Sequence, residues 1–268
     1  MRFKLDDITL GRIAEAILIR MMDVPHRAVW KFSSISIKNA ESLSQYKNLH
    51  NGKRCFIIAN GPSLKSMSLH TLANEFTFSM NRAYLLYEEW GFLPTYYLCI
   101  NELVLQQFAE DINLLNIPKF INFNQRDYFN NTSQGSTHYL RFGFGITDHF
   151  QSDITQSMYT GGTVTFATLQ LAYYMGFKEV IIIGMDHNFV EKGRPNKTEI
   201  RTADKDESHC HPDYFPKGIK WQLPNLYRSE IAYALARKAF ENDGRRILDA
   251  TIGGKCEVFK KINFNSIN

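Results

Sequence analysis

The sequence contains few cysteines, and their spacing excludes a disulfide-bonded scaffold. Only four occur in 268 residues, at 55, 99, 210 and 256, and no two of them form a Cys-X-X-Cys pair. Cys55 and Cys99 lie within apolar, strand-like runs, where a free thiol behaves as a small hydrophobic side chain. Because disulfides are rare in reducing compartments, we expect a cytoplasmic protein with free thiols.

The N-terminal region lacks a hydrophobic run long enough to cross a membrane. Over residues 1–32 its charge-free stretches are no longer than four residues, as in Ala-Ile-Leu-Ile (16–19), whereas a spanning helix needs about 20 apolar residues. It has no signal-peptide core or cleavage site either. Its apolar residues follow an amphipathic helical spacing instead, at Ile8, Ile13, Ala16, Ile17 and Ile19–Met21. We expect this helix to pack on the domain or on a second subunit, as in a homo-oligomer; the alternative is peripheral contact with the inner face of the cell membrane through its Arg and Lys residues.

Neither sign of charge is in large excess. The formal net charge is +4, from 31 Lys and Arg residues against 27 Asp and Glu residues. No basic patch interleaved with aromatic residues occurs, so the sequence does not indicate a nucleic-acid partner. The weak positive balance suits an anionic small molecule or an anionic surface.

Short apolar runs alternate with helix-like stretches along most of the chain. The runs fall at 56–59, 75–81, 95–101, 118–124, 178–186 and 245–250, and the clearest helices at 161–176 and 226–244. This alternation predicts an α/β fold with a doubly wound, mainly parallel sheet and helices on both faces. We expect a helical extension over 1–50 and one α/β domain over 51–268. Residues 125–158 and 187–224 show no periodic pattern, and we interpret 187–224 as a lid, because long irregular segments commonly cover binding sites.

Three successive predicted strands end in asparagine, at Asn60, Asn81 and Asn101. The carboxyl ends of parallel strands meet at one edge of a sheet, where open α/β sheets bind ligands. A side-chain amide both donates and accepts hydrogen bonds, so it can contact a base or a sugar without adding charge. Each asparagine alone could cap the following helix instead, but three in succession favour a shared ligand pocket. The first turn continues with Gly61, Pro62 and Ser63.

A glycine turn opens the central helix, with the sequence Thr160, Gly161, Gly162. Backbone N–H groups at a helix start can receive an anion, and glycine allows that anion to approach closely. The turn lacks the lysine of the P-loop consensus. It therefore predicts a phosphate subsite only in combination with the asparagines.

A polar cluster follows the most apolar strand, at Asp186, His187 and Asn188. Since this strand also belongs to the predicted parallel sheet, its end lies at the same carboxyl edge. The three residues either bind the ligand there or form an ordinary Asx turn.

The lid contains two histidines in the sequence Ser-His-Cys-His-Pro-Asp-Tyr (208–214). His209, Cys210 and His211 are too close in the chain to converge easily on one tetrahedral zinc ion. A general base is favoured instead, because imidazole titrates near the pH at which a hydroxyl acceptor must lose its proton. Trp221, Tyr227 and Arg228 follow near a helix start, where they either close over a sugar or phosphate or only pack.

These stretches resemble the MptE-like and motility-associated-factor glycosyltransferase family, which is related to the bacterial lipooligosaccharide sialyltransferases. The similarity is carried by IIANGPSL, FSMN, CIN and YTGGTVTFATLQLAYYMGFKEVIIIGMD, in that order between residues 55 and 210. GMDHNF, SHCHPDYFPKG and DATIGGKCEVF bring the chain nearest to the MptE-like branch. The resemblance implies a Rossmann-like domain with a lid, a CMP-activated nonulosonic acid as donor, and no requirement for a metal or another cofactor.

The resemblance also implies roles for individual residues. The lid supplies the catalytic base, as His211 or His209. Two tyrosines assist departure of the phosphate in the related sialyltransferases; Asn188 stands at the position of the first, and Tyr214 or Tyr227 is the candidate to substitute. The predicted nucleotide-binding set consists of Asn60, Gly61, Pro62, Ser63, Asn81, Asn101, Thr160, Gly161, Gly162, Asp186, His187 and Asn188.

The function that these observations predict is an enzymatic one. We expect an inverting, metal-independent glycosyltransferase that moves a sialic-acid-like sugar from a CMP-sugar to a hydroxyl of a cell-surface glycan or glycolipid, as in lipopolysaccharide or capsule biosynthesis. One alternative is an MptE-like 6-hydroxymethylpterin diphosphokinase, which would use ATP with Mg²⁺ held by carboxylates such as Asp186, Asp206 and Asp213. The other is a catalytically inactive nucleotide-binding protein.

Overall fold

A parallel sheet of eight strands forms the centre of the protein. The computed structural model describes residues 10–129, 135–143, 147–191 and 193–267, without the side chains of 10–16 and 19. In chain order the strands are β1 (Arg54–Ile58), β2 (Thr77–Met80), β3 (Tyr96–Cys99), β4 (Lys119–Asn122), β5 (Thr137–Leu140), β6 (Glu179–Ile183), β7 (Thr198–Ile200), β8 (Lys220–Gln222), β9 (Arg246–Asp249) and β10 (Lys260–Lys261). The large sheet has the order β10-β9-β6-β1-β2-β3-β4-β5, with every neighbouring pair parallel, and β7 pairs with β8 separately and antiparallel.

All six strands that the sequence predicts are confirmed, within a few residues at each end. Two strands of the large sheet, β5 and β10, were not predicted. β5 lies in 125–158, where no periodic pattern indicated it, and its residues alternate between half-buried and buried instead of forming an apolar run. The expectation that 187–224 carries no regular structure is wrong, because β7 and β8 form a short ribbon within it.

Helices cover both faces of the sheet, which confirms the doubly wound α/β fold. They are α1 (Leu10–Phe32), α2 (Ser34–Ser44), α3 (Tyr87–Trp90), α4 (Glu102–Gln107), α5 (Ala109–Asn113), α6 (Val164–Tyr174) and α7 (Leu226–Asn242). α6 and α7 pack with α2 on one face, and α3, α4 and α5 pack on the other, so the core divides into two apolar layers. α6 is buried along almost its whole length, because α7 covers the side that faces away from the sheet.

The predicted N-terminal extension packs on the domain beside β4 and β5 through several contacts, of which three show how it is held. Asp23 of α1 forms a buried ion pair with Arg141, at 2.5 Å between Oδ2 and Nη2. The Trp30 ring packs edge-on against Phe123. In α2, Asn39 pairs with the backbone of Tyr139, its Nδ2 donating to the carbonyl at 2.8 Å and its Oδ1 accepting from the amide at 2.7 Å. Residues 1–9, including the predicted apolar position Ile8, lie outside the described part of the chain.

None of the helices in the described residues is long and apolar enough to cross a bilayer. All four cysteines are buried and unbridged. Burial raises the pKa of both Cys99 and Cys210 to about 12. These thiols therefore pack as small hydrophobic side chains and are poorly suited to act as nucleophiles at neutral pH.

Candidate functional site

The end of β1 is joined to the end of β2 by the first predicted asparagine. The Asn60 side chain is buried, and its Nδ2 donates to the Met80 carbonyl at 3.1 Å. Its Oδ1 is also buried but has no hydrogen-bond partner within the described residues. Because an unsatisfied buried acceptor is costly, this oxygen is a candidate to receive a donor from a ligand.

The second asparagine is fixed in an unusual backbone conformation. Asn81 has φ +50°, in the left-handed region, where asparagine is tolerated better than most residues. The Tyr97 hydroxyl donates to its carbonyl at 2.6 Å, and the Cys99 thiol lies 3.4 Å from its Oδ1. A side-chain hydrogen bond also joins Asn81 to Tyr214 of the lid segment. Strands β1 and β2 thus present adjacent amides beside the lid.

The third asparagine follows the capping alternative. Asn101 Oδ1 accepts from the amides of Leu103 and Val104, at 3.0 and 3.3 Å, and so caps the start of α4. Capping of this kind satisfies backbone donors that a helix start leaves unpaired. The side-chain oxygen of Asn101 is therefore already used, unlike that of Asn60.

The first turn is tied to the end of β6 by a carboxylate. Asp186 accepts from the Ser63 amide at 3.1 Å and from its hydroxyl at 2.7 Å. A Cβ added at Gly61 would lie 1.8 Å from Asp186 Oδ2, so only glycine fits beside this carboxylate. Pro62 begins a short 3-10 turn over Pro62–Ser66. The two predicted clusters therefore meet, with Asp186 holding the first turn in place.

The two residues after Asp186 diverge from each other. His187 has φ +55°, and its Nε2 lies 3.0 Å from Glu230 Oε1 on α7. Asn188 is exposed. His187 therefore links the end of β6 to α7, whereas Asn188 faces solvent.

The glycine turn that opens α6 already holds an anion supplied by the protein. Gly161 donates its amide to Asp148 Oδ1 at 3.2 Å, and Gly162 donates its amide to the Thr160 hydroxyl at 3.3 Å. Arg228, on the first turn of α7, binds both oxygens of the Asp148 carboxylate, at 2.7 and 2.9 Å. The backbone amides of Gly161 and Gly162, which we predicted to bind a phosphate, thus already donate to protein oxygens. The guanidinium of Arg228 lies beside them.

Glycine is required at both positions of this turn. Gly161 has φ +57°, and a Cβ there would lie 2.5 Å from the Ala232 Cβ of α7. Gly162 has φ +75°, and a Cβ there would lie 3.3 Å from Arg228 Cδ. The turn approaches the sheet edge through Thr165, whose hydroxyl lies 3.8 Å from the sulfur of Met80. Met80 thus contacts both Asn60 and the start of α6.

The lid places one of its two histidines in a geometry suited to a general base. Both oxygens of the buried Asp206 carboxylate lie within 3.0 Å of His209 Nδ1. The imidazole stacks on the Tyr214 ring, with centroids 4.1 Å apart and planes at 7°. The next residue, Cys210, donates its amide to the Asn60 carbonyl at 2.8 Å. His209 is therefore fixed directly beside the end of β1.

The carboxylate that holds His209 belongs to a buried charged network. Arg201 Nη2 lies 2.8 Å from Glu191 and 3.9 Å from Asp206. Burial opposes ionisation of Asp206, but the hydrogen bond from His209, the charge of Arg201 and the Ser208 amide outweigh it and lower its pKa. Asp206 is thus held as an anion, and its carboxylate orients the Nδ1 side of the imidazole.

The other lid residues singled out from the sequence are placed differently. His211 Nδ1 accepts from the Asp213 amide at 3.1 Å, and among the described residues it pairs with no carboxylate. Tyr214 is almost completely buried, and burial raises its pKa well above the usual range. Trp221 packs in the core layer beside Arg201, whereas Tyr227 is half exposed.

Comparison with known proteins places the chain in a family. Residues 34–192, more than half of the chain, match the family model described as 6-hydroxymethylpterin diphosphokinase MptE-like. The chain belongs to the MptE-like family. A solved structure titled as the MAf glycosyltransferase from Magnetospirillum magneticum AMB-1 is similar to it, with a TM-score of 0.51 at 14% identity over 87% of this chain and 39% of that one. This MptE-like chain thus spans well under half of that protein, and the likeness concerns the fold. No curated protein matches it.

The carboxylates of this MptE-like protein do not gather into a magnesium site in the described residues. No group of three or more His, Cys, Asp or Glu side chains is placed there to hold a metal ion. Asp186 binds Ser63, and Asp206 binds His209. These two carboxylates are thus bound by protein donors at separate places, and we derive no step through a metal.

Sequence reasoning missed one residue of this MptE-like site. Asp148 lies in the stretch 125–158, where no periodic pattern or motif distinguished its carboxylate. The choice between the histidines did have a local signal, since Asp206 stands three residues before His209. An aspartate at that spacing can accept the backbone amides that follow it, as it does here from Ser208 and His209.

Proposed function

We propose that this MptE-like protein is a glycosyltransferase that moves a sialic-acid-like sugar from a CMP-sugar to a hydroxyl of a cell-surface glycan. One observation carries the proposal: His209, backed by the Asp206 carboxylate, is attached through Cys210 to the strand end that bears Asn60. A positioned base thereby stands beside amides suited to a nucleotide. Its fold, which it shares with a glycosyltransferase structure, agrees with this reaction.

In this proposal the nucleotide lies across the ends of β1 and β2. Asn60 Oδ1, the buried acceptor with no partner in the described residues, receives a donor from the base or the ribose. The Asn81 side chain borders the same space from the next strand. Two neutral amides can select a nucleoside by hydrogen bonding without competing with its phosphate for charge.

The phosphate is received by Arg228, not by open amides of the glycine turn. Its guanidinium lies across Gly162 and is paired with Asp148. Two phosphate oxygens can replace the Asp148 carboxylate on the same two N–H groups of Arg228, because arginine binds both phosphate and carboxylate in a bidentate manner. The positive charge then stabilises the phosphate as it leaves the sugar.

His209 takes the proton of the acceptor hydroxyl as that oxygen attacks the anomeric carbon. The bond from the anomeric carbon to the phosphate oxygen breaks at the same time, and CMP departs with the electron pair. Attack opposite the leaving group inverts the anomeric configuration. A single positioned base contributes about 10²–10⁴-fold, and orientation and charge stabilisation supply the remainder. No metal ion takes part in this scheme.

The second candidate is the diphosphokinase reaction that the family's description names. It would transfer pyrophosphate from ATP to a pterin alcohol, and such transfer normally uses Mg²⁺ to neutralise the phosphates. The described carboxylates disfavour it, since Asp186 and Asp206 are engaged separately. A protein that binds nucleotide without turnover is the third outcome that an experiment must distinguish.

Thermal unfolding with CMP, CDP, UDP, GDP and ATP, each with and without Mg²⁺, tests the proposal. A ligand at 100 times its dissociation constant stabilises the folded state by about 2.7 kcal/mol. We expect CMP to stabilise with or without Mg²⁺, and Asn60→Ala to weaken that effect. CMP-sugar turnover in the presence of a chelator then identifies the reaction. Stabilisation by ATP with Mg²⁺ but not by CMP would overturn the proposal, and CMP binding without turnover across a panel of acceptors would identify a binding protein.

A further inference from the structure

Helix α1 leaves a broad apolar face uncovered. Six large apolar side chains of its described part are between 53% and 76% exposed: Ile17, Leu18, Met21, Met22, Val24 and Phe32. Positions 17, 21, 24 and 32, together with the exposed Ala28, recur every three or four residues and so share one side of the helix. An apolar stripe this continuous on a surface helix indicates an interaction site.

Basic side chains border one flank of this stripe. Arg20, Arg27 and Lys31 are exposed and, at spacings of seven and four residues, line one side of the helix. Of the two acidic residues of α1, only Asp23 has a described side chain, and it is buried in its ion pair with Arg141. The described side chains on the exposed part of α1 are therefore mainly apolar and cationic.

The charge pattern distinguishes between two candidate partners for the apolar face of α1, a second copy of the chain and an anionic membrane. Antiparallel pairing of α1 with α1 of a second copy would bring the two basic flanks together, and Asp23, the acid of the helix whose side chain is described, is already paired with Arg141. An anionic bilayer satisfies both features, since the apolar face enters the interface and the flank meets the headgroups. We propose that α1 docks the protein on an anionic membrane surface, with its apolar face inserted below the headgroups.

A groove behind the basic flank strengthens the assignment to anionic lipid. It has a volume of about 440 Å³ and is lined by basic and hydroxyl groups that include Arg27, Lys31, Arg141, Thr155 and Ser157. Arg141 is almost completely buried, and its Nε has no hydrogen-bond partner among the described residues. A lipid phosphate entering this groove would meet cations on two sides.

The attachment of α1 orients the catalytic edge toward the bilayer. Asp23 and Trp30 contact Arg141 and Phe123, which directly follow β5 and β4. His26 contacts Arg126, also just beyond β4. The helix is therefore fixed at the carboxyl edge of the sheet, where the site of the proposed function lies, and docking would bring that edge toward acceptors held in the membrane.

Co-sedimentation of the full chain with lipid vesicles tests the inference. We expect binding to vesicles of mixed phosphatidylcholine and phosphatidylglycerol, weaker binding to phosphatidylcholine alone, and weakening by salt. Leu18→Asp combined with Met21→Asp should abolish binding to both. Arg27→Gln combined with Lys31→Gln should lower affinity for the anionic vesicles by about 30-fold and so reduce the preference for anionic lipid, with Arg20 retained.

Matched variants elsewhere on the surface serve as controls. The first control, Leu93→Asp with Leu114→Asp, changes two exposed apolar residues outside α1. The second, Lys238→Gln with Lys260→Gln, removes two exposed positive charges outside α1. Both double variants should bind vesicles like the unaltered chain. Circular dichroism checks that every variant is folded. Stabilisation by CMP is measured in parallel, so that failure of the proposed function is distinguished from failure of docking.

Two results would overturn the inference. In the first, the unaltered chain stays in the supernatant with anionic vesicles, or the paired α1 aspartates leave binding unchanged. In the second, light scattering shows an oligomer that these aspartates convert to a monomer while vesicle binding is absent; the apolar face would then join copies of the chain.

Discussion

Arg228 lies across the glycine turn and binds Asp148 with both arms of its guanidinium, at 2.7 and 2.9 Å. The carboxylate also accepts the Gly161 amide at 3.2 Å. An internal anion thus occupies the position at which the proposed reaction needs a phosphate. Asp148 and the phosphate would compete for the same cation.

This competition predicts opposite effects for the two partners. Arg228→Met should lower affinity for CMP by about 10–100-fold, since hydrogen bonds to charged groups contribute about 1.5–3 kcal/mol. Asp148→Asn should leave affinity unchanged or raise it, because it removes the competitor. Calorimetric titration with CMP measures both, with Lys238→Met on the same helix as a control. A similar loss of affinity in both variants would indicate that the pair is structural.

The two lid histidines should differ sharply in turnover. His209→Ala should lower kcat by about 10²–10⁴-fold while CMP affinity is retained, as expected for a general base. Asp206→Asn should give a smaller decrease, because the base remains but loses its orienting anion. His211→Ala is the matched control and should stay near the unaltered rate. A larger effect at His211 would reassign the base.

The close approach of α7 to the glycine turn can be tested through stability. Gly161→Ala introduces both a left-handed alanine and a contact of 2.5 Å with the Ala232 Cβ. Gly253→Ala introduces the same backbone strain, at φ +67°, with no atom within 4 Å of the new Cβ. We expect urea denaturation to show a loss of about 1–2 kcal/mol for Gly253→Ala and about 1–3 kcal/mol more for Gly161→Ala. Equal losses would show that α7 moves away freely.

Stability should fall in mild acid because of a buried histidine. His138 on β5 is held by Ser42 and Tyr46, and burial lowers its pKa to about 4. An unfolded chain binds a proton at this residue near pH 6.5, so it takes up more protons than the folded chain between pH 4 and 6.5. The free energy of unfolding should therefore decrease as pH falls through this window, by up to about 3 kcal/mol.

Urea titrations across this pH range check the histidine. In His138→Gln the free energy of unfolding should depend less steeply on pH. Some dependence should remain, because burial also lowers the pKa of His50. The exposed His70, replaced by Gln, is the control and should leave the slope unaltered. A slope that persists fully in His138→Gln would assign the acid sensitivity to other groups.

The sequence was sufficient for the sheet wherever strands are buried on both faces. Apolar runs such as 180–183 in β6 are typical of parallel strands that helices cover on both faces. β5 was not predicted, because it lies at the sheet edge and carries Thr137 and His138 in place of an apolar run. Its pairing depends on β4 and on Asn39, a hundred residues before Tyr139, and no local pattern reports such a contact.

The site was predictable only in part, for a similar reason. The positions of Asn60 and Asn81 follow from strand order, which a parallel sheet imposes. Asn101 shows the limit of that argument, since helix capping and ligand binding use the same side-chain oxygen. The link from Asp148 to Arg228 spans eighty residues and depends on how α7 lies against α6. Only tertiary packing determines it.

The carboxamide of Asn39 covers part of the open edge of the sheet at β5. By offering one donor and one acceptor to Tyr139, it imitates a peptide group and takes the place that a ninth strand would fill. Open strand borders recruit other chains, and proteins block them with such devices. Removing residues 1–50 would thus do more than shorten the protein: it would uncover a template for sheet growth, and the trimmed domain would be prone to self-association.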